Sequence, residues 1–341
     1  MYTLIYLLCL VELVCLAEGG AFYKRLISIP NKAFDGELWM GCTALPVDPD
    51  QYVVEFHPLA VRGIVHHMSI HVCDTPHSTA DVWDCVNPTN VCGDTGREAL
   101  FEWGRSAPGW KLPDYAGIPT GNRSRHLVLQ VHMLQEVKPS SVDGAYKFSG
   151  IELTLRDSRP QYEVAMAVYG NTGYIPPAVK GFTSDSACVW DSNYTVPIIS
   201  YSVHTHGRGR AVTAWIYRNG TWIELGRGNP GYPEIVMDVS KRNMQLIPGD
   251  IVAVRCTFDN DDNKKVEFRS EHGGEMCNVY VHYGVPHEAP HDVRMMMCAA
   301  SAQDFHWEDH FDTIPSRASD PSGNTDQAYY VKLHGLEITH Y

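Results

Sequence analysis

Ala211-Val-Thr-Ala-Trp-Ile-Tyr217 and Ile251-Val-Ala-Val-Arg255 are short alternating runs with no helical periodicity. Residues two apart on a strand share a face, so such runs read as half-buried β-strands. Working outward, the pattern returns in Tyr52-Val-Val-Glu-Phe56, Leu127-Val-Leu-Gln-Val131 and Ile151-Glu-Leu-Thr-Leu155. Gly and Pro punctuate the chain between these runs. Together they predict an all-β sandwich. Arg97 to Trp103 is the one stretch that reads as a short helical turn. A boundary is expected near Asp157-Ser-Arg-Pro160, after one strand set and before Tyr162 to Val168 opens another.

The 341 residues are ample to bury a core, and 44% hydrophobic with 20% charged residues is ordinary for a globular chain. A formal net charge of −13 argues against a nucleic-acid partner, since phosphate binding needs a basic surface. Leu4 to Leu16 is mostly apolar and ends at small Ala17, so residues 1–17 read as a signal peptide. No later stretch approaches the roughly 18 apolar residues of a membrane span. A soluble protein of the secretory pathway (the granule lumen) or the extracellular space is expected. Cys42, Cys73, Cys85, Cys92, Cys188, Cys256, Cys277 and Cys298 remain after signal removal, four on each side of the expected boundary. An even set in an oxidising compartment means up to four disulfides, with the pairing left open by arithmetic alone. Asn122, Asn193 and Asn219 open glycosylation sequons.

The 17 histidines matter through their placement. In Val203-His-Thr-His206, His204 and His206 share one strand face with Ser202 and can converge on one metal. In Glu275-Met-Cys-Asn-Val-Tyr-Val281, Met276, Asn278 and Tyr280 share a face, while Cys277, Val279 and Val281 form the other. A thioether beside imidazoles favours copper over zinc or the hard cations. In Arg125-His-Leu-Val-Leu-Gln-Val-His132, Leu127, Leu129 and Val131 read as core, and Gln130 and His132 as a displayed face. In Val65-His-His-Met68, adjacent histidines on a straight strand point apart. Both can bind one ion only if the strand bulges there. His57, His71 and His77 read as surface residues. If all eight cysteines pair, no thiolate is left for a blue-copper electron carrier.

These motifs resemble the copper type II, ascorbate-dependent monooxygenases, and within that family the peptidylglycine α-hydroxylating branch. The matching stretches are Leu45-Pro-Val-Asp48, His66-His-Met68, Leu127-Val-Leu-Gln-Val-His132, Val203-His-Thr-His206, Gly226-Arg-Gly-Asn-Pro230, Gly249-Asp-Ile251 and Glu275-Met-Cys-Asn278. The resemblance implies two jelly-roll-like antiparallel β-sandwich domains facing a cleft. Residues 21–158 would hold an electron-storing copper on His66, His67 and His132. Residues 159–315 would hold an oxygen-binding copper on His204, His206 and Met276, and 316–341 would be a tail. It implies hydroxylation of the α-carbon of a C-terminal glycine, with ascorbate as reductant and O2 as co-substrate. This is the first step of peptide amidation in neuropeptide processing. Tyr280 and Gln130 are the implied catalytic residues, and Asn278, Tyr280 and Ser202 the implied substrate contacts. The implied disulfides are Cys42–Cys85, Cys73–Cys92, Cys188–Cys298 and Cys256–Cys277. The implied partners are glycine-extended peptides and a separate lyase that completes amidation.

This chain departs from the family pattern at Ser202. The peptide enzymes carry there an Arg that pairs with the substrate carboxylate, and loss of a bidentate Arg weakens such binding. Arg208 or Arg210 is the expected substitute. Two other readings compete. A related amine hydroxylase, acting on a substrate such as dopamine, would use the same metals. A copper-carrying or peptide-binding protein would show no turnover.

Overall fold

Each alternating run forms a strand: Gly209–Arg218, Ile251–Asn260, Tyr52–Leu59, His126–Met133 and Phe148–Arg156. The computed structural model describes residues 21–30, 40–48, 50–60, 65–93, 98–104, 107–120, 126–133, 148–269, 273–289, 295–322, 325–333 and 335. The signal-peptide reading and the Asn122 sequon lie outside these residues. The other two sequon asparagines, Asn193 and Asn219, are exposed. Asn219 and Gly220 both have positive φ, 49° and 78°, and make the tight turn that joins Gly209–Arg218 to Thr221–Gly228.

The fold is an all-β sandwich. A five-stranded sheet runs Trp83–Asp84, Met40–Pro46, His126–Met133, Val65–Cys73, Glu98–Gly104 in spatial order. Its apolar face, including Met68, Ile70, Leu127, Leu129 and Val131, meets Ile27, Val53, Phe56, Leu153 and Leu155 from one part of an eleven-stranded sheet. A four-stranded sheet, Val179–Val189, Ile251–Asn260, Gly209–Arg218, Thr221–Gly228, packs likewise on the other part, through Val212, Ala214, Val254, Val279, Val281 and Tyr283. The two cores share one large sheet. Ala116–Pro119 pairs antiparallel with Tyr52–Leu59 and parallel with Tyr162–Thr172, and so joins them. Met295–Ser301 also runs parallel to Tyr162–Thr172.

Four disulfides are formed: Cys42–Cys85, Cys73–Cys92, Cys188–Cys298 and Cys256–Cys277. This is the pairing implied by the family resemblance, and no bond crosses Asp157–Pro160.

Two readings are corrected. The stretch read as a helical turn is the strand Glu98–Gly104. It completes the edge of Val65–Cys73 and puts Phe101 and Trp103 into the core. Sheet pairing and burial outweigh a weak local preference. His71, read as a surface residue, is fully buried on a strand paired on both sides.

Described residues after 315 fold onto the second core. Thr213 Oγ1 donates to the Ala318 carbonyl at 2.6 Å, and Arg227 Nη1 donates to the Asp320 carbonyl at 2.7 Å. The helix Thr325–Leu333 then docks through Gln327. Its amide accepts from Asn229 N at 3.0 Å and donates to Asn229 O at 3.2 Å.

Candidate metal centres

The first centre is built by strand register. His67 faces His132 on one side and Gly104 on the other, and the register shifts between Val65 and His67. This is the bulge that adjacent ligands require. It lets His66 turn to the same point as His67. His66 Nδ1 lies 3.1 Å from His67 Nδ1, and His132 Nδ1 lies 3.2 Å from it. One potential donor atom from each of the three rings falls within 4.8 Å of the others. His132, read as displayed, is only 7% exposed, because it sits on a central strand under the other two rings. Burial, and then the neighbouring His132 and His66, hold the His67 pKa well below the ordinary imidazole value. The His67 ring is therefore neutral and holds a lone pair, as metal ligation needs.

The second centre lies where Val196–His204 runs out into the following loop. His204 pairs with Asn278 and Ser202 with Tyr280 across adjacent strands. The His204 and His206 rings are 5.3 Å apart, centre to centre, and nearly perpendicular. His204 Nδ1 lies 2.8 Å from Glu234 Oε1, and His206 Nδ1 lies 2.9 Å from the Gly274 carbonyl. Ionised carboxylates and carbonyls only accept, so each Nδ1 carries a proton, and in the neutral ring Nε2 keeps the lone pair. The two centres thus offer opposite ring nitrogens, Nδ1 in the first and Nε2 in the second. Burial lowers the His206 pKa as well.

Glu275 organises the backbone here. Its fully buried carboxylate accepts from the main-chain nitrogens of His206, Arg208 (3.0 Å) and Met276 (3.0 Å). One side chain thus ties the His206 backbone to that of half-buried Met276. Sequence reasoning passed over Glu275, although it directly precedes Met276 in a quoted motif. It also passed over Glu234, which lies 30 residues from His204 in sequence and carries no local signal.

Asn278 and Tyr280 sit beside this second centre. Asn278 Nδ2 donates to the Tyr280 hydroxyl at 3.1 Å. Burial pushes the Tyr280 pKa up, so the phenol stays protonated, with its proton available to an outside acceptor. Ser202 is almost buried opposite Tyr280. Arg208 and Arg210 do not replace the missing Arg, because their side chains pair with Asp262 and Asp259, at and just beyond the end of the adjacent strand Ile251–Asn260. Gln130 is not aimed at either group of ligands. Its Nε2 donates to the Cys85 carbonyl at 3.1 Å, and the side chain is buried beside Met40.

Two family profiles match this chain in sequence. The copper type II ascorbate-dependent monooxygenase N-terminal domain covers residues 26–138, and the C-terminal domain of the same family covers residues 162–311. The chain belongs to the copper type II ascorbate-dependent monooxygenases. Curated members of this monooxygenase family agree. Mus musculus peptidyl-glycine alpha-amidating monooxygenase is 33% identical over 283 residues, 81% of this chain and 27% of that protein. Xenopus laevis peptidyl-glycine alpha-amidating monooxygenase A is 32% identical over 281 residues, 81% and 29% respectively. Canis lupus familiaris dopamine beta-hydroxylase is 27% identical over 289 residues, 75% and 44%. The chain therefore spans under a third of these amidating enzymes and under half of that hydroxylase. The ligand chemistry fits the family's metal, since imidazole and thioether donors suit copper in both oxidation states. Among the described residues no helix is long and apolar enough to cross a membrane.

Proposed function

We propose that this chain is a peptidylglycine α-hydroxylating monooxygenase with two copper sites, one on His66, His67 and His132 and one on His204, His206 and Met276. Copper, when bound, supplies one-electron transfer and oxygen activation. Ascorbate supplies two electrons, O2 supplies one oxygen atom to the glycine α-carbon, and the other leaves as water. The reading is carried by Asn278 and Tyr280, hydrogen-bonded to each other beside His204. A peptide C-terminus placed there can accept the Tyr280 phenol proton. Ser202 offers a second, neutral hydroxyl across the strand. Fixing the terminal carboxylate in this way would hold the α-carbon next to the second centre, where orientation alone is worth several powers of ten in rate. A separate lyase would then cleave the hydroxylated product to the amide, in the secretory pathway or outside the cell. Incubation of a glycine-extended peptide with copper, ascorbate and O2 should give the mass gain of one oxygen atom. Its absence, with both coppers bound, would overturn the reading.

A second reading is favoured by one observation. The expected Arg is Ser202, Arg208 and Arg210 are paired elsewhere, and Glu234 stands beside His204. A pocket with that charge suits an amine as well as a carboxylate. Turnover of phenethylamines, with none of glycine-extended peptides, would select it.

A further inference from the structure

Glu234 is an acidic side chain that touches both halves, meeting His204 of the second and Gly104 of the first. The loop that carries it leaves the second core and returns against the first. Tyr232 N donates to Asn229 O, Ile235 is buried, and Val236 packs on the first core. The carboxylate is received at Gly104, the strand neighbour of His67. A Cβ on Gly104 would come within 2.9 Å of Glu234 Oε2. The other oxygen meets His204 Nδ1 at 2.8 Å. The same charge is felt at His67, His206 and Tyr280. A glycine slot on one half thus holds the acid that selects the ring tautomer on the other.

We infer that Glu234 is a positioning residue for the second metal centre, holding His204 with Nδ1 protonated and Nε2 toward the ion, and that the Gly104 slot keeps the carboxylate in place. This rests on the reading that His204 and His206 hold metal, but not on any substrate. Carboxylate partners of ligating histidines fix ring orientation and raise ligand basicity, and losing one costs about 10–100-fold in metal affinity. The slot makes the acid removable in two ways. Glu234→Ala deletes it, and Gly104→Ala displaces it while leaving the charge on the chain. Glu234→Gln keeps an oxygen that can accept from His204 Nδ1.

The test is a Cu(II) titration against a competing chelator in a His132→Ala background, so that the second centre alone is read. Glu234→Ala should weaken binding there by about 10–100-fold. Gly104→Ala should weaken it in the same direction, and Glu234→Gln should recover most of the loss. In the reciprocal His206→Ala background, the first centre should keep its affinity in all three variants. Nitrogen-15 spectra of the metal-free protein give a second readout. His204 should be the Nδ1-protonated tautomer in the parent and a mixture in Glu234→Ala. Unchanged second-centre affinity in Glu234→Ala would overturn the inference. So would equal weakening of both centres, or a Glu234→Gln variant no better than Ala. The result stands apart from the peptide reading, because a protein inactive on glycine-extended peptides can still pass or fail it.

Discussion

The two histidine groups are constructed differently. The first is made of sheet: three imidazoles on two adjacent strands, brought together by a bulge, with their Nδ1 atoms facing one another. The second is made at a strand end, where buried or half-buried acids, Glu275 and Glu234, fix a loop backbone and a ring. A group built from a ladder inherits the rigidity of the core. A group built at a loop depends on a few polar contacts that can be removed singly. The second should therefore be the more fragile under point substitution.

The largest expected effect compares one cross-link from each half of the molecule. Cys188–Cys298 closes 110 residues and Cys73–Cys92 closes 19. Chain entropy assigns these about 5 and about 3 kcal/mol. Paired Cys→Ala variants, followed by denaturant melts, should show the larger loss for Cys188–Cys298. Equal losses would mean that strain or residual structure outweighs loop length.

Next is Glu275→Ala. It leaves the main-chain nitrogens of His206, Arg208 and Met276 without their acceptor. Buried orphans of this kind cost about 1–3 kcal/mol each, and solvent entry should hold the total near about 3 kcal/mol. Copper analysis should show loss from the second group with the first intact. Parallel loss from both would erase the contrast between them.

The smallest effect lies at the junction. His282 hydrogen-bonds Ser200 and packs on Trp110 of the first core. Burial lowers its pKa to about 3. The unfolded imidazole takes up its proton below about 6.5. Between these values the unfolded chain binds more protons, so stability falls as pH drops through the window. His282→Phe should flatten that slope by about 1.4 kcal/mol per pH unit. An unchanged slope in urea melts from pH 6 to 4 would show that His282 is not its source.

Much of this was legible in the sequence because strands have a simple period. Parity alone put His204 with Ser202, and Met276 with Asn278 and Tyr280, and it required a bulge at His66–His67. What parity could not show was which face meets a second layer. Hence His132 and His71 were read as displayed and are buried. Nor could it find partners that arrive from elsewhere in the chain. Glu234 reaches His204 only because its loop crosses between cores, and Arg208 meets Asp262 only because the start of Gly209–Arg218 lies beside the end of Ile251–Asn260. Glu98–Gly104 was misread for the same reason, since its reason to be a strand is the open edge of Val65–Cys73.

The parallel pairing of Tyr162 and Glu163 with Ala116 and Gly117 bears on the proposed transfer of electrons between the two histidine groups. Two bodies on a flexible tether can change their separation at little cost. Two bodies sewn into one sheet cannot, without breaking main-chain hydrogen bonds. In the proposed two-copper reaction, the distance an electron would cover from one imidazole cluster to the other is then set by the scaffold, like the gap of a spark plug. In that reaction substrate entry would fall to side chains and loops rather than to a change in the spacing of the two cores.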